Sequence, residues 1–201
     1  VKKGQRIAYL MLNAKSANAI SSALSIGYDA SVYFADGADT NNLLSIEKQL
    51  IGYDQVIVGL HNYNRKPANH FEIPIPFIQF LNETHPTNWF HLIFGNPYAV
   101  GEFNKIQNIL FAYEDNAFTQ EAALRWMEGK IQATGELPVT VSEDLPFGTG
   151  SHKMESSSSI TAPTSTPNLS FIDTMIEEAI KKKAIPGCQV LVAKNNKIIF
   201  N

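Results

Sequence analysis

Short apolar runs alternate with helical spacings along most of the chain. Arg6-Ile7-Ala8-Tyr9-Leu10-Met11-Leu12 is a continuous apolar run between polar flanks, the pattern of a strand buried on both faces. Ala17 to Ile26 carries Ile20, Ala23 and Leu24 at helical spacing and predicts a helix stopped by Gly27. Ala30 to Ala35 reads as a second strand. A helix capped by Thr40 or Asn41 sets Leu43, Leu44, Ile46 and Leu50 on its apolar side and ends near Gly52. Gln55 to Leu60 is a third strand, rich in Val and Ile. Phe71 to Asn82 is a helix whose Pro74 and Pro76 belong in its first turn or just before it. Trp89 to Phe94 is a fourth strand closed by Gly95-Asn96-Pro97, and Asn108 to Tyr113 is a fifth. Thr119 to Lys130 is an amphipathic helix with Ala122, Ala123, Trp126 and Met127 on one side. Leu137 to Val141 is a last short strand that Pro138 confines to a sheet edge.

This alternation predicts an α/β fold: a mainly parallel sheet of five to six strands with helices on both faces, a flavodoxin-like three-layer sandwich. The pattern then breaks. From Phe147 to Pro167, Ser, Thr, Pro and Gly dominate and apolar periodicity vanishes, so residues 148–167 read as a linker. Beyond it, Phe171, Ile172, Met175, Ile176, Ala179 and Ile180 have helical spacing, with Ser170 as a cap and Pro186-Gly187 as the stop. Gln189 to Ala193 and Lys197 to Phe200 read as a hairpin turning at Asn195-Asn196. The 34 residues from 168 to 201 are too few to build a core of their own and read as the beginning of another domain.

Composition narrows the function classes. Of 201 residues, 16 are basic and 19 acidic, without a basic block, so a nucleic-acid surface is not expected. The lone Cys188 forbids an intrachain disulfide. No apolar run reaches the roughly 18–20 residues that span a bilayer. The basic start, Val1-Lys2-Lys3-Gly4-Gln5-Arg6, lacks the apolar stretch of a signal peptide. Starting on Val and stopping inside a strand pattern, the chain reads as a piece of a longer polypeptide.

Cofactor and nucleophile motifs are missing. The first strand–helix turn, Asn13-Ala14-Lys15-Ser16-Ala17-Asn18, has no glycine pattern for close approach to a pyrophosphate, and no cofactor is expected. There is no Gly-x-Ser-x-Gly elbow. Ser45-Ile46-Glu47-Lys48 matches Ser-x-x-Lys only formally, inside a helix and without partner motifs. His61, His70, His85, His91 and His152 show no zinc spacing, so no metal site is expected. The pairs Glu114-Asp115 and Glu143-Asp144 read as solvated loop charges. The suggestive stretch is His61-Asn62-Tyr63-Asn64-Arg65-Lys66, directly after the third strand, because loops beyond the carboxyl ends of parallel strands form the ligand crevice. Asn96, Pro97 and Tyr98 follow the fourth strand at the same edge. His61, Asn62, Tyr63, Arg65, Asn96 and Tyr98 are therefore the candidate sugar or interdomain contacts, packing on a neighbouring loop being the plainer alternative.

Several segments together resemble the C-terminal α/β domain of family 3 glycoside hydrolases. Phe94-Gly95-Asn96-Pro97-Tyr98 is similar to that family's Phe-Gly-Ser/Asn-Pro-Tyr turn. Leu110-Phe111-Ala112-Tyr113-Glu114-Asp115 with the following Gln120-Glu121-Ala122-Ala123 is similar to its next strand and helix. Gly135-Glu136-Leu137-Pro138-Val139-Thr140-Val141 resembles its terminal segment. The likeness covers roughly Arg6 to Phe147. In the tail, Ile176 to Ile180, Ile185-Pro186-Gly187-Cys188-Gln189-Val190-Leu191-Val192-Ala193 and Lys197-Ile198-Ile199 resemble the opening of a serine β-lactamase or penicillin-binding-protein domain, whose Ser-x-x-Lys lies beyond Asn201.

The resemblance implies a retaining mechanism whose nucleophilic aspartate sits on an N-terminal TIM-type barrel. It implies as partners that barrel, a carbohydrate substrate at the interdomain cleft and a downstream β-lactamase-like domain. No glutamate here matches the acid motif of the β-glucosidase branch; Glu72 and Glu114 are the ones near strand ends. The β-N-acetylhexosaminidase branch, with its His-Asp dyad on a barrel loop, is therefore expected, and no catalytic residue is expected in this chain. The resemblance further implies a parent exported to the bacterial envelope or periplasm. Three alternatives stay open: a stand-alone flavodoxin-like module for a small ligand or carbohydrate, part of a β-glucosidase-branch enzyme, and a serine hydrolase whose active portion follows.

Overall fold

The structure is a computed structural model that describes residues 1–37, 42–83, 85–103, 105–150, 169–185, 187–194 and 197–200. It divides into two compact units, 1–152 and 153–201. Most of the segment expected as a linker, together with Thr40, Asn41, His152, Pro186 and the Asn195-Asn196 turn, lies outside the described residues.

The first unit is built on five parallel strands: β1 (Ile7–Leu12), β2 (Ser31–Ala35), β3 (Gln55–Leu60), β4 (Trp89–Ile93) and β5 (Ile109–Phe111), in the order β2-β1-β3-β4-β5. All six residues of β1 are buried, as a central strand covered on both faces requires. Its alternate residues Ile7, Tyr9 and Met11 pack with Ile20 and Leu24 of α1 (Ala19–Tyr28) and Ala123 of α4 (Ala117–Met127). Ala8, Leu10 and Leu12 pack on the other side with Leu43, Ile46 and Leu50 of α2 (Leu43–Leu50) and Phe77, Phe80 and Leu81 of α3 (Ile75–Leu81). Two cores, one per sheet face, make the expected three layers.

Local physics moves several boundaries. Gly27 does not stop α1; the helix runs to Tyr28 and ends where Asp29 turns left-handed (φ 54°). Leu44 faces solvent at 69% exposure, because α2 turns only Leu43, Ile46 and Leu50 inward. α4 starts earlier than expected, since Asn116 accepts from the Thr119 amide and the Thr119 hydroxyl side accepts from the Asn116 amide, closing a capping box. Ala122 is exposed, and Gln120 with Ala123 forms the buried stripe.

The helix expected over 71–82 begins only at Ile75. Upstream, Asn69, His70, Phe71 and Glu72 all have φ between 52° and 58°, a left-handed turn costing roughly 1–2 kcal/mol per residue. Burial of Phe71, worth about 1.5–3 kcal/mol, offsets part of it. The expected sixth strand at Leu137–Val141 does not form. Pro138 removes a ladder donor, and the segment instead folds on itself, with the Leu137 amide donating to Thr149 O and the Gly148 amide to Leu137 O.

The second unit holds α5 (Phe171–Lys181) and an antiparallel pair, β6 (Val192–Lys194) and β7 (Lys197–Phe200). No residue of α5 is buried, and the Lys182 ammonium donates to the Glu178 carboxylate at 3.1 Å in solvent.

One polar cluster in the first unit ties stability to pH. His91 donates through Nδ1 to Gln107 O (2.7 Å), so its Nε2 accepts from His85 Nδ1 (3.2 Å). His85 stacks on Trp89 with ring centroids 4.5 Å apart, and its Nε2 has no partner among the described residues. Burial, reinforced by the neighbouring His91, pushes His85 from 6.5 down to about 4. Burial also lowers His91. Folding therefore favours the neutral rings, and the unfolded chain binds more protons in this window. The urea midpoint, followed by tryptophan fluorescence, is expected to be level above pH 7 and to fall between about pH 6.5 and 4. In His85→Gln the fall should be shallower, and an unchanged slope would refute the assignment.

A buried histidine and a sealed crevice at the sheet's carboxyl edge

The candidate contacts come from the loops leaving the carboxyl ends of β3 and β4, and the loops after β1 and β5 meet them there. In a 2-1-3-4-5 order, chain connections diverge between β1 and β3, and the ligand crevice of such sheets opens there. Here that gap is closed by two asparagines. Asn13 Nδ2 donates to Asn62 O at 2.9 Å and to His61 O at 3.2 Å, and Asn62 Nδ2 donates back to Asn13 O at 3.1 Å. Both residues are left-handed (φ 61° and 49°), a conformation that Asn tolerates better than most side chains.

His61 lies beneath this staple and not at the surface: its ring is 1% exposed. It stacks on Phe94, with centroids 4.7 Å apart and an interplanar angle of 14°. Nδ1 is 2.9 Å from Asp115 Oδ2, and Nε2 is 2.8 Å from the Tyr9 hydroxyl. Burial, aided by the Asp115 charge, raises Tyr9 well above its ordinary value, so the phenol keeps its proton. Burial alone would raise the Asp115 carboxyl. Hydrogen bonds and charge from His61, then bonds from Gln120 and the Asn62 amide, outweigh it and hold the group below its usual value. Nδ1–H therefore donates to an ionised Asp115, while the Tyr9 hydroxyl and Nε2 share the second bond of the ring. Gln120 Nε2 donates to Asp115 Oδ1 at 2.7 Å, and its own oxygen accepts from the Ala19 amide at 3.2 Å.

A His-Asp pair supplies two of the three members of a nucleophilic triad, but here the third member is a fully buried phenol that no substrate reaches. The chemistry available is therefore structural: the network ties β1, β3, the loop after β5, and α1 with α4. Asp115, expected as a solvated charge, has a side chain only 18% exposed and is the acceptor of this network. Tyr9 and Gln120 were missed as site residues. The available signal was a hydroxyl in a strand otherwise apolar and buried on both faces, since a buried phenol requires a partner.

Above this layer lie the other candidates. The Tyr63 hydroxyl donates to Asn96 O at 3.0 Å, and its ring rests on Gly95, where an added Cβ would stand 2.7 Å from it. Asn96 Nδ2 donates to Arg65 O at 2.8 Å, and Asn96 Oδ1 accepts from the Tyr98 amide at 3.0 Å. Burial, then the Asp115 charge, pushes the Tyr63 phenol upward. The structure thus joins Asn62, Tyr63, Arg65 and Asn96 in one band, with the Tyr98 ring 48% exposed at its end. The Arg65 guanidinium reaches the Glu114 carboxylate at 3.5 Å; both are exposed, so the pair adds little to stability. Among the described residues no cluster of three or more His, Cys, Asp or Glu side chains is arranged to hold a metal ion, and no helix is long and apolar enough to cross a membrane.

Two substitutions test the buried network. An added Cβ at Gly59 would lie 2.5 Å from the Tyr9 hydroxyl and 2.7 Å from His61 Nε2. Gly59→Ala is expected to cost about 1–3 kcal/mol in urea unfolding, as overpacking does. Asp115→Ala, which strips the acceptor from His61 and Gln120, is expected to cost about 1–3 kcal/mol. Wild-type stability in both variants would exclude the network as a structural tie.

No protein-family model matches the chain, and no curated protein matches it. Solved structures do share its fold. A glycoside hydrolase family 3 β-N-acetylglucosaminidase from Paenibacillus sp. str. FPU-7 superposes with a TM-score of 0.56 at 16% identity, over 71% of this chain and 28% of that one. A fungal multi-domain family 3 β-N-acetylglucosaminidase, described as having a GCN5-related glucosamine N-acetyltransferase region, gives 0.54 at 18% identity, over 71% of this chain and 16% of that one. The chain thus spans less than a third of either, and the likeness is one of fold.

Proposed function

We propose that residues 1–147 are the non-catalytic α/β domain of a retaining family 3 glycoside hydrolase acting on β-linked N-acetylhexosamine. Its partner is a TIM-type barrel of the same polypeptide, which carries the catalytic residues. The carrying observation is that both fold matches are β-N-acetylglucosaminidase chains of that family, of which this chain spans 28% and 16%. Only the fungal protein is described with an acetyltransferase region, so the shared fold favours the glycosidase part.

The geometry supports a supporting role. Two-carboxylate hydrolysis needs a pair of carboxyl groups flanking one bond, about 5–9.5 Å apart. At this edge Asp115 is committed to His61 and Gln120, while Glu114 is held by Arg65 and by Asn116 Nδ2 at 2.9 Å. What faces outward is a contact surface. Arg65 offers donors suited to sugar hydroxyls, and Tyr98 offers a ring suited to the apolar face of a pyranose. The reciprocal Asn13–Asn62 amides disfavour the alternative of a free-standing small-ligand module, because they occupy the gap where its ligand would sit. For residues 168–201 we propose the opening of a β-lactamase-like domain joined through a 148–167 linker. The order helix then antiparallel pair supports this. The parent enzyme is proposed to act in the bacterial envelope.

The 201-residue chain is expected to hydrolyse neither an aryl N-acetyl-β-glucosaminide nor a chromogenic cephalosporin. The full polypeptide should turn over the aryl N-acetylglucosaminide in preference to the aryl β-glucoside, and Tyr98→Ala should raise its KM. Saturable glycoside turnover by the 201-residue chain would overturn the non-catalytic role.

A further inference from the structure

The sheet ends on an open edge. β5 pairs with β4 on one side through His91↔Ile109, Leu92↔Leu110 and Ile93↔Phe111, and among the described residues no strand pairs with its other side. The bonds flanking this ladder run from the His91 amide to Asn108 O and from the Ala112 amide to Ile93 O, each 2.9 Å. Backbone groups of successive strand residues point to opposite sides. Asn108, Leu110 and Ala112 therefore serve β4, while Ile109 and Phe111 turn their N–H and C=O groups to the vacant side.

Both faces of that vacant edge are hollow. A cavity of about 600 Å³ lies on the α3 face, lined by β5 together with Phe103, Ile106, Leu137 and Leu145. A second cavity of about 220 Å³ lies on the α4 face, lined by Leu110, Ala112, Ala122, Ala123 and Ile131. Leu110, Phe111, Trp126 and Ala133 belong to both linings. A larger hollow above the edge and a smaller one below it fit the alternating side chains of one added strand. The segment expected to fill this place, Leu137–Val141, borders the larger cavity through Leu137 without pairing with β5. Charge narrows the occupant: Glu136 and Asp144 stand in the larger lining, and among the described residues no Lys or Arg lines either cavity.

We propose that the free edge of β5, with the cavities on its two faces, is a docking site for an extended peptide segment that joins the sheet as a sixth strand. The fitting segment alternates large and small apolar side chains and is flanked by basic residues. Main-chain bonds to Ile109 and Phe111 give it register, the two cavities select its side chains, and the acidic rim favours its basic flanks. Left-handed residues bound the edge at both ends, Asn108 at φ 51° and Tyr113 at φ 61°, so the register spans only Ile109 to Phe111. The site lies on the sheet edge and stands or falls independently of the glycosidase reading.

The test uses the 201-residue chain and a synthetic probe, the acetylated and amidated hexapeptide Lys-Phe-Val-Phe-Val-Lys. Titration, followed by Trp126 fluorescence and by calorimetry, is expected to show saturable 1:1 binding. N-methylation of the alternate peptide amides that face β5 should weaken it at least tenfold, and replacing the two lysines by glutamate should weaken it severalfold. Ile109→Pro removes one outward N–H without touching the β4 ladder, and should also weaken binding at least tenfold while circular dichroism stays unchanged. Should that variant unfold, the N-methylated peptide still decides the matter on the unaltered protein. Absence of saturable binding, equal binding of the N-methylated peptide, or self-association through this edge that the peptide does not displace would each overturn the proposal.

Discussion

The imidazole of His61 is the point on which the rest of the first unit depends. It sits where β3 ends, shares a hydrogen bond with a phenol on β1 and donates one to a carboxylate on the loop after β5. Three segments far apart in sequence are fixed by one ring. The low local dielectric strengthens each bond, and it makes the loss of any member costly, because the others would remain buried without partners. Gly59 is small for the same reason: its missing side chain is the space in which the Tyr9–His61 bond lies.

That constraint extends to the edge above. Asp115 accepts from the Asn62 amide as well as from the ring, so the loop after β3 is held from below while Asn13 holds it from the side. Tyr63 then leans on Gly95, and Asn96 reaches back to Arg65. A band built this way offers a preformed face of fixed donors and aromatic rings. Such a face suits apposition against another rigid body better than enclosure of a small molecule.

Much of the fold was legible in the sequence because its central strands are buried on both faces, and a continuous run such as Ile7 to Leu12 has few other uses. The errors have local causes. Gly27 read as a stop because glycine favours left-handed caps, yet Asp29 took that role two residues later. Pro74 and Pro76 signalled a delayed helix start, but the four left-handed residues before them have no sequence signature beyond Asn69. At the site, four of the six candidates could be placed on one band because strand ends fix an edge. The depth of His61 could not be read, since its partners lie 52 and 54 positions away and meet it only through strand register.

The brevity of β5 has a further consequence. Long open edges invite endless sheet-to-sheet polymerisation, and proteins commonly guard them with lysine, proline or a covering segment. Among the described residues this edge is apolar and carries no such guard, and its protection is geometric: a three-residue strand between two left-handed kinks, four residues in all, cannot template a growing stack. The kinks at Asn108 and Tyr113 are the positions where straightening the backbone would turn a bounded edge into a seed for aggregation.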